Sequence, residues 1–197
     1  MRVATLNCWN VSEPFAARMA LVRAGIQTLA PDVMGLQEIV VGQDGLDQLA
    51  TIVGGLRYER TFGPSHPSAA DGNAIVSRWP IRESAVHTLP GIEGGTRRSV
   101  VGVLIETPAG LLPFFATHLN WRAEHGWIRE RQVVAVAEFA DQFTPTGSLP
   151  RILVGDLNAR PDSTEVRFLC GLAPLGGRSV CFQDAWQVAG DGTPGFT

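Results

Sequence analysis

Four places in this chain set a polar side chain directly behind a run of apolar residues, and chemistry can be done at each. A buried carboxylate or amide is costly unless something partners it, so each such residue needs a reason to be there. The densest place is Ile152-Leu153-Val154-Gly155-Asp156-Leu157-Asn158-Ala159-Arg160-Pro161-Asp162. A buried strand there delivers Asp156 and Asn158 into a turn bounded by Gly and Pro, and their alternation puts both on one side. An acceptor and a donor thus arrive together beyond a strand end, where ligands bind in open α/β sheets. The competing reading is a turn whose Asp and Asn bond their own backbone. Thr5-Leu6-Asn7-Cys8-Trp9 ends a strand on Asn7, whose amide oxygen suits a hard cation or a loop N–H. Leu36-Gln37-Glu38 ends another on a carboxylate that either pairs with Arg or binds a metal. Phe114-Phe115-Ala116-Thr117-His118-Leu119-Asn120-Trp121 closes on His118, a satisfied rim residue or a catalyst. His66, His87 and His125 stand at no zinc-ligand spacing from it, and Gly126 argues against one helix carrying both His118 and His125.

The elements that must position these residues are legible in the periodicity. Strands are expected over 2–9, 33–41, 56–62, 74–77, 81–89, 99–106, 111–117, 151–155 and 184–188. Pro108-Ala109-Gly110 makes a turn, so 99–106 and 111–117 form a hairpin. Ser12 and Pro14 mark a helix start, and Phe15, Met19, Val22, Ile26 and Leu29 share one face until Pro31 ends it. A second helix over 128–143 places Val133, Val136, Ala137, Ala140 and Phe143 together. Short helices are expected over 46–52 and 163–169, the latter with an N-cap turn at Asp162-Ser163-Thr164-Glu165 that reads as structural. Residues 63–72 read as a loop and the tail 190–197 as turn-rich. Helices interspersed among many strands make a mixed α/β layout, without the strict alternation of a doubly wound sheet.

Composition sets the outer bounds. At 197 residues and 45% hydrophobic content the chain is expected to form one domain over 1–197. No apolar run is long enough to span a membrane, and because Met1-Arg2-Val3 opens straight into a strand-like segment, no signal peptide is expected. A net charge of −3 weighs against a protein that coats DNA. Every basic residue is Arg, which reads as GC-rich bacterial codon usage. Cys8, Cys170 and Cys181 give neither a disulfide framework nor a zinc motif and read as free thiols, hence a cytoplasmic location.

Taken together, the pieces Thr5-Leu6-Asn7-Cys8-Trp9, Leu36-Gln37-Glu38, Gly72-Asn73-Ala74-Ile75-Val76-Ser77-Arg78-Trp79-Pro80-Ile81, Thr117-His118-Leu119, Gly155-Asp156-Leu157-Asn158 and Asp184-Ala185-Trp186 resemble, in order, the endonuclease/exonuclease/phosphatase superfamily. That superfamily includes deoxyribonucleases, sphingomyelinases and inositol-phosphate phosphatases. The resemblance implies an α/β (α+β) fold, a four-layer αββα sandwich of two mixed sheets flanked by helices. It implies a divalent-metal-dependent phosphodiesterase, nuclease or phosphatase, with Asn7 and Glu38 holding Mg²⁺, or Mn²⁺ in its place. Asp156 would orient or deprotonate the attacking water, and Asn158 and His118 would contact the phosphate. Arg97 or Arg98 would reach the phosphate too, with Arg97 taken first, and Asn73 would line the same cleft. The expected partner is a phosphate ester (nucleic acid, nucleotide, phosphoinositide or phospholipid head group) bound to a monomer with no membrane insertion. The family pattern continues into an Arg-Ile-Asp-Tyr strand and a Ser-Asp-His that this sequence does not contain. The expectation is therefore a C-terminally truncated domain lacking its last strands, inactive or weakly active alone, with a non-catalytic phosphate-binding protein as the alternative. Trp121 and Trp127, with Arg122 and Arg129, stand beside His118 either to stack on a substrate or to pack a helix.

Overall fold

Alternating apolar residues bury both faces of the central strands, and that demand builds the architecture. The computed structural model describes residues 1–193, so the end of the turn-rich tail expected over 190–197 lies outside the described residues. One sheet contains β1 (Val3–Asn7), β2 (Val33–Val40), β3 (Glu59–Pro64) and β4 (Asp71–Ser77), in the order β1-β2-β4-β3. The second runs β5 (Ile81–Thr88), β6 (Ser99–Thr107), β7 (Gly110–His118) and β8 (Ile152–Asp156), in that order. Both sheets are mixed. β1 is parallel to β2, β7 is parallel to β8, and the other neighbours are antiparallel. The expected 99–106/111–117 hairpin is β6–β7, with Thr107 opposite Gly110.

Three apolar layers separate four structural layers. Met34 and Leu36 of β2 face outward onto Met19 and Ile26 of α1 (Phe15–Leu29) and onto Leu49, Ile52 and Val53 of α2 (Gln48–Val53). Val33 and Ile75 face inward and meet Val101, Val103, Ile105, Phe114 and Ala116 of the second sheet. Val100 and Phe115 point the other way, onto Val133, Val136, Ala137 and Ala140 of α3 (Gly126–Phe143) and Phe168 and Leu169 of α4 (Thr164–Leu169). The sheets approach most closely at Gly35, where a Cβ would lie 2.4 Å from Val154 Cγ2 and 3.1 Å from Ala116 Cβ. The four-layer αββα sandwich is thus the observed fold. β8 ends the second sheet with β7 as its neighbour among the described residues, and it lies against β1, an edge strand of the first sheet.

Four local expectations change. The strand expected over 184–188 is a helix, α5 (Ala185–Ala189). Asp184 caps it, its carboxylate accepting from the Trp186 and Gln187 N–H groups at 2.9 and 3.4 Å, and this competes successfully with extended pairing. The loop expected over 63–72 is shorter, because β3 extends to Pro64 and β4 begins at Asp71. α1 is not capped by the Ser12 hydroxyl; the Glu13 carboxylate instead accepts from the Phe15 N–H at 2.8 Å. On its apolar face Leu29 is exposed, while Met19 and Ile26 are buried.

Candidate active site

Each sheet contributes one parallel strand pair, and both pairs end at the same end of the sandwich. Asn7 is the last residue of β1, His118 the last of β7 and Asp156 the last of β8, with His118 and Asp156 in register. Glu38 sits where β2 bulges. Leu36 pairs with Ala74 and Ile39 with Gly72, so Gln37 and Glu38 together oppose one residue. Glu38 adopts a φ of 55° there, a left-handed conformation that re-aims its side chain. The antiparallel neighbours begin where these strands end, so Asp71 opens β4 and Arg98 precedes β6 at the same place. These groups, with Asn158, line an open cleft of about 520 Å³ rimmed by Trp9 and Trp121.

The polar groups bond one another across the gap between sheets. Asn7 Nδ2 donates to Glu38 Oε1 and to Asp156 Oδ2, both at 3.0 Å, while Asn7 Oδ1 accepts from the Trp9 N–H at 2.9 Å. Asp156 Oδ1 accepts from the Asn158 N–H at 3.0 Å. Asn158 holds a φ of 48°, and its Nδ2 donates to the Leu119 carbonyl at 3.1 Å. Arg98 Nε donates to the same carbonyl at 3.1 Å, and Arg98 Nη2 stands 3.3 Å from His118 Nε2. A guanidinium only donates, so His118 Nε2 accepts and its proton resides on Nδ1.

Burial pushes the His118 imidazole down to about 4; Arg98 acts in the same direction and Asp156 opposes it. His118 is therefore neutral near pH 7, and its separations of 4.0 Å from Glu38 and 3.7 Å from Asp156 are polar contacts rather than ion pairs. Burial also lowers the Arg98 guanidinium, while Glu38, Asp71 and Asp156 draw it back up. Cys8, beside Asn7, is buried and its thiol is pushed up to about 12, chiefly by burial, so it is no nucleophile at neutral pH.

The donor set fits a hard cation. Glu38, Asp71 and Asp156 face a single guanidinium in the cleft, leaving excess negative charge. One neutral amide nitrogen bridges two of those carboxylates, and turning the Asn7 amide would present its oxygen beside theirs. Among the described residues no three His, Cys, Asp or Glu converge on one point, so the protein offers part of a coordination shell. A cation that binds oxygen and keeps several waters, as Mg²⁺ does, matches that supply.

Asn7, Glu38, His118, Asp156 and Asn158 come together in the cleft, Glu38 from a bulge inside β2 rather than from the strand end that the sequence suggested. Of the two adjacent arginines, Arg98 lines it, whereas Arg97 is solvent-exposed and does not. Hairpin register explains the difference, since counting back from the Thr107–Gly110 pair sets residue 98 opposite Leu119, one residue beyond His118. Asn73 does not line the cleft. It is buried beneath it, Nδ2 donating to the Ser99 carbonyl at 2.9 Å. Asp71 and Trp9 were missed, and the signal for Asp71 was its place at the start of a strand antiparallel to β2.

A family model described as Endonuclease/Exonuclease/phosphatase family matches residues 4–197. No curated protein matches the sequence. Among solved structures, a Bacteroides thetaiotaomicron mannosyl-6-phosphatase is similar with a TM-score of 0.72 at 19% identity, over 85% of this chain and 68% of that one. A truncated Caenorhabditis elegans TDP2 matches with a TM-score of 0.71 at 22% identity, over 95% and 70%. The human Nocturnin catalytic domain, solved with bound sulfate, matches with a TM-score of 0.63 at 21% identity, over 79% and 61%. The chain thus spans about two thirds of the length of these structures, and at such identities the likeness is one of fold.

Proposed function

The chain belongs to the Endonuclease/Exonuclease/phosphatase family, and on that footing we propose that it hydrolyses phosphate esters by in-line attack of water on phosphorus. The observation that carries this reading is the convergence of Asn7, Glu38, His118, Asp156 and Asn158, from two sheets, on one cleft. Asn7 and Glu38 would hold Mg²⁺, or Mn²⁺ in its place, and the bound cation would supply positive charge to the phosphoryl oxygens. Asp156 is the proton acceptor for the water, its carboxylate oriented by the Asn158 N–H. Asn158 spends one amide hydrogen on the Leu119 carbonyl and offers the second to a phosphoryl oxygen. Arg98 adds a guanidinium suited to phosphate, held in place by the Leu119 carbonyl and by neutral His118. Donors fixed before the reaction stabilise developing charge without reorganising.

The test uses bis(4-nitrophenyl) phosphate and 4-nitrophenyl phosphate with Mg²⁺, Mn²⁺ or EDTA, alongside calorimetric titration of Mg²⁺. Turnover should require the cation. Glu38→Gln should weaken cation binding, and Asp156→Asn should slow turnover by about 10²–10³-fold. Metal-independent turnover, or an Asp156→Asn variant at full rate, would refute the mechanism. Phosphate binding without turnover would instead favour a non-catalytic phosphate-binding protein.

A further inference from the structure

Two indoles stand exposed on the rim of the cleft, and both are built into place. Trp9 is 57% and Trp121 55% exposed. Trp127 and Trp186 are also exposed but lie outside the cleft, so exposure alone singles out nothing. Trp9 holds a φ of 53°, a conformation that a bulky residue adopts only under constraint. The constraint is Arg18. Its guanidinium donates to the carbonyls of Cys8, Trp9, Asn10 and Ser12 and lies 5.2 Å from the Trp9 ring centroid. Trp121 is fixed from another element, its Nε1 donating to Thr96 Oγ1 at 3.3 Å with the Arg122 guanidinium 4.9 Å from its ring centroid. Trp9 follows β1 of the first sheet, and Trp121 follows β7 of the second. Two braced aromatic surfaces therefore border the phosphate site, one from each sheet.

We infer that Trp9 and Trp121 form a stacking subsite for a flat heteroaromatic ring attached to the phosphate ester, so that the substrate class is a nucleoside phosphate. The inference rests on the proposed phosphate-ester site. The cleft of about 520 Å³ admits a group of nucleotide size beside the phosphate. Ring stacking on tryptophan contributes enough to raise affinity by roughly 5- to 150-fold, and it discriminates a base from a bare sugar.

The test titrates the 197-residue chain calorimetrically with AMP, ribose 5-phosphate and inorganic phosphate in Mg²⁺. AMP should bind at least about tenfold more tightly than ribose 5-phosphate. Trp121→Ala and Trp9→Ala should bring AMP to the ribose 5-phosphate level and leave phosphate binding unchanged. Trp121→Phe, which keeps a ring, should restore part of the preference and guards against a loop that has simply collapsed. Equal affinities for AMP and ribose 5-phosphate, or a preference that survives both alanine variants, overturns the stacking subsite and leaves the phosphate site standing. Failure of all three ligands to bind overturns the phosphate-ester reading and the subsite with it.

Discussion

His118 links the site to pH. Its folded-state value of about 4 lies below the ordinary 6.5. Between those values the unfolded chain takes up a proton that the folded chain does not, so stability rises with pH across the window. The metal-free chain should therefore lose stability from this group as pH falls from 6.5 to about 4. Urea midpoints at several pH values in EDTA would show it, and His118→Gln should flatten the dependence; identical slopes would exclude His118 as the source. His118 was legible in the sequence because it interrupts an apolar strand, and the same holds for Asn7, Glu38, Asp156 and Asn158. Asp71 and Arg98 were not legible in the same way. They stand at strand starts, where a polar residue is ordinary, and only antiparallel pairing brings them to the site.

At the scale of elements, most strands and all the longer helices followed from apolar periodicity, and the exception is instructive. Residues 184–188 have an apolar pattern too short to distinguish a strand from a helix, and one capping carboxylate decided it. Connections between elements were less visible still. Arg129 of α3 and Glu165 of α4 form a buried ion pair at 2.7 Å, and Arg129 also donates to the carbonyls of Asn120 and Arg122 at 3.2 and 2.7 Å. The short α4, structural as its capping turn implied, thereby secures the loop that carries Trp121. Glu165→Ala would strand a buried guanidinium and should cost about 3–5 kcal/mol in urea unfolding. The double variant Arg129→Met, Glu165→Leu should recover only part of that loss, because the Asn120 and Arg122 carbonyls then lack their donor. A Glu165→Ala loss below about 1 kcal/mol would mean that water reaches Arg129 freely.

For the whole molecule, the decisive feature is that the site is divided between two sheets. Asn7 and Glu38 belong to one, His118 and Asp156 to the other, and the inter-sheet layer sets the distance between them. Gly35 lies in that layer with no room for a Cβ, facing Val154 two residues before Asp156. Gly35→Ala should destabilise the chain by about 1–3 kcal/mol and, at temperatures where it remains folded, depress turnover. Full activity in a folded Gly35→Ala chain would show that the halves move independently of the layer beneath them. Sequence patterning marked both sheets but not this contact, because a glycine within a strand does not announce which face it opens. The division makes the site a caliper: each sheet is a jaw, and the side chains between them set the gap. Under the proposed function, rate then becomes a gauge of how the core is packed, and variants sorted on turnover alone would also be sorted on the fit of residues that never touch substrate.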